Sequence, residues 1–327
     1  MSNLGRTGLI QRIPPHQRGT AAFLLVMSGS IGIQSSTALL SALFDTFSPV
    51  AVAGLRMAAA ALILLLAVRP NPFALKKGDW PQVLIYSVVV CLMTTGYFQA
   101  VKYLPLGIVV TIEYLGAFSV SLLGVRRLRD GMLSLGALVG VILIAGPTFE
   151  DSQVIGYLFA ALSAVSMAGY TLLSARMGQG SSAVSGLRGL TLSICGSAII
   201  FAPFSLPTLP HLDGEDWLRI FAGGVLGVAF AYSADALAGR LTSAAVIGVL
   251  FSLDPVNGAI IGLLLLGEVL PFWSYLGILL IAVSGAVLVW QTNRSAHKIS
   301  SHTAVLTAIV STKTGQIPIV PPRSLKD

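Results

Sequence analysis

Apolar runs of roughly 17 to 25 residues recur along almost the whole chain, near 20–43, 48–68, 82–102, 105–125, 131–147, 154–174, 184–204, 216–236, 242–266 and 270–290. An α-helix of that length crosses the hydrocarbon of a bilayer, and lipid admits only segments that satisfy their own backbone polar groups. The ten runs therefore predict an all-α membrane protein of ten transmembrane helices. The links between them are short and carry turn or charge signals, as in Arg69-Pro70-Asn71-Pro72, Arg126 to Asp130, Glu150-Asp151 and Pro207 to Asp216. Links this short predict that consecutive helices pack as antiparallel neighbours.

Composition agrees. Charged residues make up 10% of the chain and hydrophobic ones 55%, where a soluble protein carries about 25% charged. The mean hydropathy of +0.85 is spread over many runs. A net charge of +7 could point to nucleic acid, but the basic residues fall one to three at a time between apolar runs, without interleaved aromatics. No nucleic-acid partner is expected. The two cysteines, Cys91 and Cys195, lie inside apolar runs and read as small packing residues. Residues 1–18 with the following run imitate a signal peptide, yet that run is too long and too many follow, so a retained first helix is predicted.

The distribution of Lys and Arg sets an orientation. One side holds Arg6, Arg12, Arg18, Arg69, Lys76, Lys77, Arg126, Arg127, Arg129, Arg176, Arg240 and the basic residues of the tail, while the other holds Lys102 and Arg219 among Glu150, Asp151, Asp213, Glu215, Asp216 and Glu268. The positive-inside rule then puts both termini in the cytoplasm, with the chain in the cell (cytoplasmic) membrane and lipids as its surroundings. Residues 1–18 are expected to be a cytoplasmic tail, and the Ser/Thr/Lys/Pro-rich stretch 291–327 a disordered one.

Ala51-Val52-Ala53-Gly54-Leu55-Arg56 opens the second run, and Ala183-Val184-Ser185-Gly186-Leu187-Arg188 opens the seventh. The repeat is offset by an odd number of spans, so the second copy enters the membrane from the opposite side. That predicts two inverted halves of five helices, 19–147 and 154–290, with the fourth run matched to the ninth. In such transporters the binding site lies near the midplane, between the halves.

A charge near the bilayer centre costs about 2.5–3.5 kcal/mol on insertion scales, so a deep one needs a partner, a wet cavity or a function. Arg56, Glu113 and Asp254 are the deep ones; Arg188 and Asp235 fall nearer helix ends, where snorkelling relieves them. Glu113 stands halfway along the fourth run with Gly116 and Gly124 on its face. It reads as a cavity group for substrate or protons, or as a structural acid, either paired with a cation such as Arg56 or protonated and hydrogen-bonded to a neighbour, and these roles do not exclude one another. Asp254 precedes Pro255, whose missing N–H leaves the Phe251 carbonyl without its helical partner, a polar break at membrane depth with Asn257 and Gly258 beside it. The bland alternative is a packing kink. Gln34, Tyr97, Gln99, Tyr114, Tyr170 and Tyr232 could line a cavity, although interhelical hydrogen bonding is the commoner role of such residues. The Gly136/Gly140, Gly223/Gly227 and Gly258/Gly262 spacings read as helix packing.

All four histidines fall outside the runs, and there is no Cys/His cluster, no P-loop and no soluble domain for ATP. No cofactor or metal is expected, and transport cannot be powered by hydrolysis within this chain. An integral-membrane enzyme using Asp254 and Glu113 as an acid pair would lack a nucleophile or histidine; a passive channel would lack rings of like residues.

Gly54-Leu55-Arg56-Met57 in the second run and Leu104-Pro105-Leu106-Gly107 through Glu113-Tyr114-Leu115-Gly116 in the fourth resemble the drug/metabolite transporter superfamily with its paired EamA repeats. Within it the chain is most similar to the threonine/homoserine exporter group, whose P-L-G start and E-[FY]-x-G-P stretch are matched by Pro105 to Gly107 and by Glu113 to Gly116. The resemblance covers about residues 19–290. It implies a secondary-active exporter, not an enzyme, that moves a small metabolite such as an amino acid, with the proton as the expected coupling ion and a cavity touched by Arg56 and Glu113. A homo-oligomer is left open. Ala117 stands where the group carries Pro, and Asp254-Pro255 where it commonly reads Glu-Pro.

Overall fold

A computed structural model describes residues 14, 17–70, 78–123, 136, 139–140, 142–144, 151–177, 187–241 and 250–287. These residues are almost entirely helical, and no strand occurs among them. The helices are α1 (Arg18–Ser41), α2 (Pro49–Val68), α3 (Trp80–Tyr103), α4 (Leu106–Leu123), α5 (Asp151–Met177), α6 (Leu187–Ser205), α7 (Gly214–Gly224), α8 (Ala231–Leu241), α9 (Asp254–Leu266) and α10 (Phe272–Val287). A π-helical turn, Val225–Phe230, joins α7 to α8 without a break in the rod. Among the described residues six segments are long and apolar enough to cross a membrane: Arg18–Ser41, Pro49–Val68, Trp80–Tyr103, Gln153–Leu173, Leu187–His211 and Gly214–Asp235. Three shorter apolar helices accompany them, Leu106–Val120, Asp254–Leu266 and Phe272–Val287. Most of the expected fifth span, 131–147, lies outside the described residues, as do Gly124, the repeat copy Ala183 to Gly186, and both tails.

The helix surfaces are those of a protein in lipid. Leu66, Leu158, Val165 and Ile199 keep 65%, 67%, 73% and 73% of their surface exposed, a pattern that would aggregate in water and is ordinary against acyl chains. The core runs through the middle of the bundle, where Leu40, Met57, Phe98, Leu106, Ile194 and Ile281 are fully buried.

Local chemistry sets the helix ends. The Ser48 side chain accepts from Ala51 N at 3.2 Å and Pro49 supplies the first turn, so α2 starts where Pro needs no N–H partner. Asp213 and Asp216 form a reciprocal capping box at the start of α7. Gly267, at φ +67°, closes α9 in a left-handed turn, with its own N–H and that of Glu268 both donating to the Gly262 carbonyl. The turn aims Glu268 at the first turn of α4, where its Oε2 accepts from Leu106 N at 2.8 Å, an anion on the positive end of a helix.

The arrangement departs from a bundle of consecutive neighbours in one respect. α1 packs chiefly on α8, α9 and the π turn, α2 on α6 and α7, α3 on α5 and α6, and α4 on α5 and α9. The heaviest contacts thus join early helices to late ones. A short link holds two helix ends together, but the faces that mesh are chosen by small residues: Gly107 meets the Ala259 backbone, and Gly258 meets Val110. The expectation of antiparallel packing between consecutive helices holds only weakly.

Candidate functional site

Arg56 sits in the third turn of α2 and is 5% exposed. Its Nη2 donates to the Gly227 carbonyl at 2.9 Å, and its guanidinium carbon lies 5.2 Å from the centre of the Phe98 ring on α3. Its Nε is buried with no acceptor among the described residues. Among the described residues no carboxylate is recorded within ion-pair distance of it, whereas Arg219 pairs with Glu215 and Asp216 in the first turns of α7. A hydrogen bond from a charged donor contributes about 1.5–3 kcal/mol and a desolvated cation–π contact roughly 2. These contacts offset part of the burial cost of the cation, and Arg56 is held by neutral partners rather than by a counter-ion.

Glu113 shows the complementary condition. Ser163 Oγ, on α5, donates to its Oε1 at 2.6 Å, and no cation approaches within ion-pair distance among the described residues. Ser163 is fully buried and its hydroxyl also stands 3.1 Å from the Met93 carbonyl, which ties α3, α4 and α5 together at this level. Gly116, one turn beyond Glu113, makes the approach of α5 possible, because any Cβ there would overlap the Ala164 carbonyl. Arg56 and Glu113 are within electrostatic range of each other without forming a pair, so the direct structural pair between them is not made.

Tyr97 and Gln34 satisfy each other: the Tyr97 hydroxyl donates to Gln34 Oε1 at 2.7 Å, and both side chains are buried. This is an interhelical tether between α3 and α1, beside the Arg56–Phe98 contact. Tyr232, on α8, lies within electrostatic range of Arg56 and Tyr170. Tyr114 meets α10, where a Cβ on Gly285 would come within 2.6 Å of its hydroxyl, and stands within hydrogen-bonding reach of Ser252 and electrostatic range of Asp254.

A second polar layer lies around α1 at Gly29 and Ser30. The helix expected to run through 242–266 is interrupted: Leu253 N bonds back to the Leu250 carbonyl at 3.1 Å, Ser252 and Leu253 form a turn, and α9 starts at Asp254 with Pro255 in its first turn. Asn257 Nδ2 donates to Ser30 Oγ at 2.9 Å and approaches Met27 Sδ at 3.8 Å. Oδ1 of Asp254 and Oδ1 of Asp235 are each buried with no hydrogen-bond partner among the described residues. Asp235 packs against α1, where a Cβ on Gly29 would stand 3.4 Å from its Oδ1. Asp254 is within electrostatic range of both Asp235 and Glu113.

The structure therefore brings Arg56, Glu113, Tyr97 and Gln34 to one level, and Asp254 and Asn257, with Tyr114 in electrostatic range of Asp254, to a second. Sequence reasoning passed over Phe98, Ser163, Ser30 and the Gly227 carbonyl, and put Asp235 near a helix end, whereas its Oδ1 is sealed inside the bundle. Only the density of glycines at 223, 224 and 227 signalled an unusual helix there.

Comparison with known proteins agrees with this architecture. Residues 154–290 match the EamA-like transporter family. The chain is 27% identical over 252 residues to the threonine/homoserine exporter RhtA of Salmonella typhimurium (strain SL1344), covering 76% of this chain and 84% of that protein. It is 26% identical, with the same coverage, to the threonine/homoserine exporter RhtA of Escherichia coli (strain K12). A solved structure described only as the crystal structure of a protein superposes with a TM-score of 0.57 at 21% identity, covering 84% of this chain and 98% of that one. The likeness shows a shared fold.

Proposed function

Given that this chain carries an EamA-like transporter domain, we propose that it is a secondary-active exporter of a small metabolite, an amino acid of the threonine/homoserine kind, across the cytoplasmic membrane. The observation that carries the reading is the pair of opposite charges that stand near each other unpaired, Arg56 on Gly227 O and Phe98, and Glu113 on Ser163 Oγ. A free amino acid is a zwitterion. Its carboxylate suits the guanidinium and its ammonium suits the Glu113 carboxylate, so a bound solute neutralises both buried charges at once. Tyr97 and Gln34 brace this level.

The scaffold in this reading is ten spans in two inverted repeats, 19–147 and 154–290, that rock about the central site to expose it to one side and then the other. Asp254, at the broken ninth helix, and Glu113 are the acids through which a proton gradient would act, with Asn257 and Tyr114 in supporting positions. Reporter fusions test the frame: those placed after Lys77, Arg127, Arg176 and Asn293 are expected to read cytoplasm, and those after Glu150 or Asp213 the outer side. Reversal at one pair of sites would remove a span and, with it, the inverted repeat.

The substrate is tested by metabolite profiling of medium from overexpressing cells. Threonine or homoserine is expected to accumulate over a Glu113→Gln control. Accumulation of a solute without a carboxylate, or of none, would overturn the amino-acid reading.

A further inference from the structure

The π turn and the buried arginine belong to one device. In a regular α-helix the N–H of Ala231 would bond the carbonyl of Gly227, four residues back; here Ala231 N–H bonds Val228 O instead. Gly227 lies within this π turn, and its carbonyl accepts from Arg56 Nη2 at 2.9 Å. Single π turns inside α-helices are rare, cost helix regularity and concentrate at functional sites.

We propose that Gly227 is the positioning residue of Arg56: its main-chain carbonyl, set in the π turn, holds the guanidinium by one nitrogen without neutralising it and leaves Nε to receive the carboxylate of the transported solute. The reading rests on the exporter assignment above and adds to it what selects a carboxylate. The acceptor is neutral by design of the backbone. Had an Asp or Glu side chain held Arg56, the pair would have been self-sufficient and a solute carboxylate would have had to displace it. A carbonyl fixes direction only. The Phe98 ring lies against the guanidinium and leaves its edges for hydrogen bonds, so the donors that Gly227 does not use are those a ligand oxygen would meet.

Glycine is required at 227 by space. A Cβ there would overlap Arg56 Nη2, Ser36 Oγ and Ser36 Cβ, which are the three nearest atoms. Gly223, one turn earlier on the same rod, offers the contrast: its Cβ would meet the end of the Leu40 side chain at 2.7 Å, a group that can turn away, and its carbonyl is bonded by Ser36 Oγ at 2.9 Å.

The functional test is a double-mutant cycle in a Ser36→Gly background, which clears the α1 side so that Gly227→Ala presses on Arg56. In proteoliposome counterflow with L-threonine as probe, Gly227→Ala is expected to raise the half-saturating concentration about tenfold with the maximal rate little changed, and threonine amide is expected to be bound equally poorly before and after. In the matching Arg56→Lys background, read on the counterflow that remains there, the same change is expected to add nothing, while Gly223→Ala stays near the reference. An equal effect of Gly227→Ala with and without Arg56 would make Gly227 a packing residue and overturn the proposal.

A measurement on the unmutated protein stands beside this one, in case the variant fails to insert. Solid-state NMR of protein labelled with [1-13C]glycine and [15N]guanidinium arginine is expected to show a carbonyl–guanidinium contact that is lost in Arg56→Lys and persists with threonine bound. Its absence, or its loss on adding threonine, would overturn the tether. Wild-type vesicles that never exchange threonine would instead sink the amino-acid assignment, with the NMR contact still deciding the tether.

Discussion

Glu113→Gln is expected to yield a chain that inserts, stays monodisperse and melts close to wild type, while threonine export falls by about tenfold or more. Gln keeps the carbonyl oxygen that accepts from Ser163 Oγ, so the junction of α3, α4 and α5 survives. It strands no partner, because no Lys or Arg stands within ion-pair distance of Glu113 among the described residues. What disappears is the negative charge that a solute ammonium or a coupling proton needs. A marked loss of expression or of thermal stability would show instead that the carboxylate holds the fold, since breaking a buried pair costs about 3–5 kcal/mol. Normal export at every pH would remove Glu113 from the site altogether. Counterflow at several pH values, read beside a melting curve in detergent, decides among these.

Arg56 should give the larger effect. Arg56→Ala is expected to abolish saturable threonine counterflow, and Arg56→Lys to lose most of it, because an ammonium is a point charge that cannot bond the Gly227 carbonyl, lie against Phe98 and offer a directed donor to a ligand at the same time. Arg188→Lys serves as the comparison. It occupies the matching place in the second copy of the repeat, but its side chain is exposed at the start of α6, so the change should cost little. Equal losses at the two positions would mean that repeat symmetry, rather than burial, governs these arginines. The alanine variant also leaves the Gly227 carbonyl without its partner, a penalty of about 1–3 kcal/mol that should appear as a modest drop in melting temperature.

Membrane residence was legible in the length and recurrence of the apolar runs, since hydrocarbon thickness translates directly into helix length. The break at Asp254-Pro255 was legible too, because proline removes a particular hydrogen bond whatever surrounds it; the structure starts α9 at Asp254 after a turn through Ser252 and Leu253. So was the unusual cost of Arg56 and Glu113, which depends on depth alone. These features follow from properties that a residue carries with it.

Partner choice does not. Ser163 is one of many serines in apolar surroundings, and nothing within α5 marks it as the donor to Glu113; that is decided by Gly116 letting α5 reach α4 at that height. Asp235 reads as a helix-end acid until α8 is laid against Gly29 of α1, which seals its Oδ1 inside. The natural guess from charge alone joins Arg56 to Glu113, and the tertiary structure separates them by giving each a neutral partner from another helix. The apolar pattern by itself thus determined that the chain is helical and built of membrane-length apolar segments, and it singled out the charges that fall inside them. Which atoms those charges face was decided only when early and late helices meshed through their small residues, because hydrogen-bond partners in a bundle are chosen by backbone distance across helices and not by neighbourhood along the chain.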